Sequence, residues 1–162
     1  MKTLITIILA ALLALIVAVP ASAQSDRWGC DDLADYQREI VSLIPADDLE
    51  ILSDILDSDI ETLRPSQFAA AADIFDAWAS DMEDMPARDV PRAAERYHEE
   101  MIDFMSLYAS MFAAMSTAGI FGAMPYVDAV ELASADLEAA SAYGERKCPR
   151  DWPFGGTDSG TL

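Results

Sequence analysis

Positive charge is scarce in this sequence: ten lysines and arginines stand against 29 aspartates and glutamates in 162 residues. A field of that sign repels phosphate backbones and anionic headgroups. It therefore excludes nucleic acid and acidic lipid surfaces as partners and favours cationic proteins, peptides or metal ions. Histidine is scarcer still, since His98 stands alone. A di-iron carboxylate bundle needs two Glu-x-x-His pairs, and Glu95-x-x-His98 supplies only one, so that chemistry is excluded. A serine hydrolase would need an acid and a nucleophile around the same histidine, yet no G-x-S-x-G context occurs. Asp57-Ser-Asp59-Ile-Glu61 opens like a calcium loop. Thr62 takes its glycine position and Phe68 its closing glutamate position, so the loop fails where its shape is decided.

Cysteine occurs twice, as Cys30 and Cys148, and neither C-x-x-C nor C-x-x-C-H spacing is present, which excludes a dithiol redox site and covalent haem. Two cysteines at opposite ends of the domain imply one structural disulfide closing nearly the whole of it, in an oxidising compartment. Trp28 and Trp152 flank the pair and are expected to pack over it. Sustained alternation of apolar and polar residues is also missing, so no sheet is expected.

What is present begins with a leader. Lys2, the apolar run LITIILAALLALIVAV, Pro20 and Ala21-Ser22-Ala23 form a secretory signal peptide over residues 1–23, with the mature chain starting at Gln24. The form of this leader is bacterial, making the periplasm or the exterior the expected destination. Without Lys2, nine cations oppose 29 acids, a net charge of −20 with histidine neutral. The remaining 139 residues suit one domain, expected over residues 24–149, followed by an irregular tail over 150–162.

Prolines, glycines and acidic first turns divide the domain into five helical segments. Helix 1 starts near Asp31 and carries Leu33, Tyr36, Ile40 and Leu43 on one stripe up to Pro45. Helix 2 begins with Asp47 and Asp48 in its first turn and offers Leu49, Leu52, Leu56 and Leu63. Helix 3 repeats spacings of three and four at Phe68, Ala71, Phe75, Trp78 and Met82, ending before Pro86. Helix 4 is expected from the cap Asp89, with Pro91 in its first turn, to Ala118, stopped by Gly119. Its seam is Ala94, His98, Met101, Met105, Tyr108, Phe112 and Met115. Helix 5 starts near Pro125, turns Val127, Val130, Leu137 and Tyr143 inward, and ends at Gly144. A bridge between Cys30 and Cys148 requires an even number of passes. The expectation is thus an all-α, four- to five-helix antiparallel bundle whose first helix is kinked or broken at Pro45.

From Phe104 to Val127 no residue is charged. That length suits a bilayer core, but the serines, glycines, Pro125 and the acidic flanks Asp103 and Asp128 oppose a span. A buried central helix is expected, with a homodimer through helices 4 and 5 as the other use of such a surface.

His98 reads as the polar member of a core seam, with methionines filling the gaps around it. A half-buried histidine of this kind can also serve as a pH sensor. The sharper alternative is copper or small-ligand binding, since imidazole and thioether together suit that metal. His98, Met101 and Met105 on helix 4, with Met82 and Met85 at the end of helix 3, are the candidate ligands. His98 and Met105 lie about 10.5 Å apart along a helix axis, so one ion cannot take both without severe leaning. The leading expectation is an exported, acidic, non-enzymatic bundle. It would bind a cationic protein partner, in the manner of an inhibitor or immunity factor against envelope-degrading enzymes.

Overall fold

Proline and glycine fix where the helices break, and the apolar seams fix how they pack. The computed structural model describes residues 28–60 and 62–154, with the Leu56 side chain outside the description. The leader, the start at Gln24 and the last eight residues of the tail lie outside the described residues. Five α-helices follow a 3-10 turn at Cys30–Asp32: α1 (Leu33–Ser42), α2 (Ala46–Asp57), α3 (Pro65–Glu83), α4 (Glu95–Ala118) and α5 (Val127–Lys147). Further 3-10 turns occupy Ala87–Asp89 and Gly119–Tyr126, and among the described residues there is no strand.

Helix α3 opens with Pro65, whose fixed φ suits the first helical position, and the Gln67 side-chain oxygen accepts the Arg64 backbone N–H at 3.0 Å. Its apolar stripe meets α4 in antiparallel register: Phe68 pairs with Phe112 (6.5 Å), Phe75 with Tyr108 (5.4 Å), and the Met82 carbonyl with the His98 ring. All five expected α3 seam residues and all seven of α4 are buried. Helix α5 returns along α4, because Gly122 lies on Ala114 at one end while Trp152 joins Tyr97 to Gly144 at the other. The stretch Glu95–Lys147 is long and apolar enough to cross a membrane, but it is folded into this hairpin.

Helix 1 is broken at Pro45. α1 ends at Ser42, Pro45 is extended (φ −62°, ψ 142°), and α2 restarts at Ala46. Tyr36 of α1 reaches His98, the Trp78 indole donates to Asp48 of α2 at 3.0 Å, and α3 then starts beside the C-terminal half of α4. Together α1 and α2 carry the chain from the disulfide end to the opposite end, so the parity needed by the bridge is kept. Cys30 and Cys148 form that bridge, with Cα atoms 5.6 Å apart and both residues buried.

Several expectations need correction. Helix α4 starts at Glu95, not at Asp89, because the preceding backbone is committed elsewhere: the Ala93 N–H donates to the Trp28 carbonyl at 2.9 Å and the Ala94 N–H to Pro91 at 2.7 Å. Among the described side chains of α2, Leu52 and Ile55 are buried and Leu49 packs against the core, while Leu63 packs against it from beyond the helix. Gly144 does not stop α5, which runs to Lys147; it is the place where the Trp152 indole lies on the helix backbone, and a Cβ there would overlap the ring. Val127 is exposed, whereas Val130 is buried as expected. Residues 151–154 are irregular yet belong to the core, since Trp152 and Phe154 are buried.

Candidate functional site

His98 is 8% exposed and has partners on two other helices. The Tyr36 hydroxyl lies 3.0 Å from Nδ1, and the ring hydrogen-bonds the Met82 carbonyl. Burial first, and Tyr97 second, hold the Tyr36 hydroxyl far above its ordinary pKa, so it stays a neutral phenol able to donate. Nδ1 then accepts from Tyr36 while the other ring nitrogen carries the proton given to Met82, which defines a neutral tautomer. Desolvation lowers the His98 pKa, against the Met82 hydrogen bond and the Glu99 charge, which both act to raise it.

An aromatic cluster closes this end of the bundle. Tyr97 stacks on Phe154 at 4.6 Å, Trp152 meets Tyr97 at 5.6 Å, and Phe154 meets Tyr36 at 5.8 Å. Ser141 ties the tail down by donating to the Phe154 carbonyl at 2.7 Å and accepting from the Trp152 indole at 3.1 Å. Trp152 therefore packs inward. Trp28 lies under Lys147 (4.3 Å), the residue before Cys148, and Arg92 (5.1 Å) in cation–π contact.

The five residues of the copper alternative do gather around the α3–α4 turn and its first helical turns: His98, Met82, Met85, Met101 and Met105 are all buried. As the His98 ring is placed, it offers an ion no spare lone pair. Coordination requires an imidazole lone pair, and the one on Nδ1 already accepts from Tyr36 while the other nitrogen is protonated. The arrangement does what a satisfied core histidine does: it crosslinks α1, α3 and α4.

The opposite end has a different character. The uncharged stretch was expected to be a buried central helix, but only one face of its first half is inside: Phe104, Met105, Tyr108, Ala109, Phe112 and Met115 are buried, while Ser106, Ser110 and Ala113 are exposed. At Gly119 (φ 60°, ψ −154°) α4 stops, and the following 3-10 turn lays Gly122 against the Ala114 backbone so closely that any Cβ would collide. Three residues per turn align every third side chain. Phe121, Met124 and Val127 consequently form one ridge, 78%, 69% and 44% exposed, while Gly122 and Ala123 face inward. Small residues are inside and large apolar ones outside, the reverse of what packing rewards. The sequence signal was available in the order Phe121-Gly122-Ala123-Met124 between Gly119 and Pro125. Expecting burial for the whole uncharged run conceals it.

Charge is distributed to match. No lysine or arginine occurs between Arg96 and Arg146, whereas Glu99, Glu100, Asp103, Asp128, Glu131, Asp136, Glu138 and Glu145 fall in that interval. The hairpin tip is therefore an apolar ridge on an acidic body, and the cations Arg92, Arg96, Arg146 and Lys147 collect at the disulfide end. No protein-family model, no characterised protein and no solved structure matches this chain.

Proposed function

We propose that this protein is a non-enzymatic binding protein of an oxidising compartment outside the cytoplasm, and that its partner is a basic protein. The observation that carries the reading is the run from Tyr97 to Glu145, which contains eight acidic residues and no lysine or arginine. Two antiparallel helices present that run as one acidic hairpin. A field of this kind steers cationic proteins into encounter and rejects anionic ones. The buried Cys30–Cys148 bridge supports the compartment, since such bonds persist where thiols are not kept reduced. His98 supports a binding role over catalysis, because both ring nitrogens already serve the core. Within this class, an inhibitor or immunity factor against a cationic envelope-degrading enzyme is the specific role.

The test uses basic cell-wall hydrolases, beginning with lysozyme, titrated with the full disulfide-bonded protein at physiological ionic strength. Saturable binding that suppresses hydrolysis and weakens with added salt is the expected outcome. Hydrolases that neither bind nor lose activity, across a set of several, overturn the role.

A further inference from the structure

Large apolar side chains turned to solvent while glycine and alanine fill the interior face are a cost to folding, so the ridge at the α4–α5 tip serves something other than stability. Resting on the basic-partner reading, we propose that Phe121, Met124 and Val127 are the anchor that a basic protein receives in an apolar cleft rimmed by lysine or arginine.

Three observations carry this. The three side chains share one edge of the turn because they are spaced by three in a 3-10 helix that passes into α5. Phe121 at 78% and Met124 at 69% are the most exposed large apolar residues described; Leu132, at 64%, lies five residues beyond Val127 on α5, while Val41 and Ile51, on α1 and α2, reach only 36% and 42%. Asp128 and Glu131 follow the ridge immediately and are exposed, so whatever covers it meets carboxylates at the rim. That combination, an apolar centre with a charged edge, suits a protein interface.

The charge chooses among occupants. A second copy would bring its own Asp128 and Glu131 against this pair, under a net charge of −20 on each mature chain. An anionic membrane meets the same repulsion. A basic protein satisfies ridge and rim together. The backbone at the tip is also held firmly, since Gly122 is seated on α4, and an anchor presented on a rigid turn loses little entropy on docking.

The experiment places a photo-crosslinking residue at the ridge, Phe121→p-benzoylphenylalanine, with Ile51→p-benzoylphenylalanine as the control, in the full chain within the producing cells. The expected result is an adduct with a basic protein at position 121 that is absent at position 51. The captured protein is then purified and its binding measured to the unmodified chain, to F121S/M124S and to I51S. The double variant is expected to bind at least about thirtyfold more weakly, mainly through faster dissociation, with the salt dependence unchanged. I51S is expected to bind normally. Because Phe121 and Met124 touch little of the core, an unchanged unfolding midpoint separates lost anchoring from lost folding. Adducts with a second copy, with lipid or with an acidic protein, or no adduct at all, overturn the proposal. A basic protein that binds F121S/M124S as tightly as the unmodified chain overturns the ridge and leaves the basic-partner reading standing. Absence of any basic partner brings down both.

Discussion

The Tyr36 hydroxyl donates to Nδ1 of His98 across 62 residues of sequence, at 3.0 Å, and thereby fixes the imidazole as neutral inside the bundle. Its pH consequence has a definite sign. Burial depresses the folded pKa of His98 below its ordinary value, while the unfolded chain titrates near about 6.5. Above that pH neither state binds the proton and this group gives no slope. As pH falls through the unfolded value, the unfolded chain takes up a proton that the folded chain refuses, and stability declines, by at most about 1.4 kcal/mol per pH unit. Urea denaturation between neutral pH and mildly acidic pH checks this. His98→Gln, whose amide can accept from Tyr36 and donate to Met82, is expected to flatten the slope in that window.

Reduction of the bridge between Cys30 and Cys148 is expected to be costly. The two residues are 118 apart in sequence, and the chain-entropy model gives about 4.7 kcal/mol for a loop near this length, with measured values spanning about 0–5 kcal/mol. Against a total stability of about 5–15 kcal/mol that is a large share. The double variant Cys30→Ala/Cys148→Ala is expected to melt well below the parent and to become insensitive to reductant. A thermal melt unaltered by complete reduction would show that the bridge contributes no stability.

What the sequence disclosed and what it concealed divide by the range of the interactions. The α3 and α4 seams were legible because spacings of three and four report a helix face locally, and every member named for those two helices is buried. The break at Pro45 and the stop at Gly119 were legible for the same reason. The true start of α4 was hidden, since Asp89 and Pro91 look like a cap and first turn until the Trp28 carbonyl claims the Ala93 N–H. Gly144 resembled a helix stop because nothing nearby announces that Trp152 will lie on it. Trp152 and Phe154 sit in a stretch rich in proline and glycine, and only the distant Ser141, Tyr97 and Tyr36 make them core. At the candidate site the residues were visible but their orientation was not. Phe121 and Met124 belong to an apolar run, and periodicity assigns such residues inward unless the turn that inverts them is known.

Gly144→Ala tests the seat of Trp152 directly. The added methyl would occupy the space of the indole ring, whose atoms are held by Ser141 and by Tyr97, so the strain has no easy exit. Overpacking of this kind costs about 1–3 kcal/mol. Phe154→Ala empties the same region from the other side and is expected to cost about 3 kcal/mol or more. Chemical denaturation of both variants checks the pair. A Gly144→Ala protein as stable as the parent would mean that the tail does not rest on α5 in solution.

Trp78 is 1% exposed, and its indole N–H reaches a carboxylate oxygen of Asp48 at 3.0 Å, at the first turn of α2. Asp48 thus does two things: it satisfies a buried donor on α3 and places a negative charge at the positive end of the α2 dipole. Two substitutions separate these roles. Asp48→Asn keeps an acceptor oxygen and loses the charge, so its expected cost is the dipole share, about 0.3–1 kcal/mol. Asp48→Leu removes the acceptor and strands the indole N–H, adding about 1–3 kcal/mol of desolvation without compensation. The emission of Trp78 supplies a second readout, since loss of the hydrogen bond changes the environment of the indole even where the fold persists. If Asn and Leu proved equally costly, the charge and not the hydrogen bond would be what joins α2 to α3, and the attachment of α2 would then weaken with added salt.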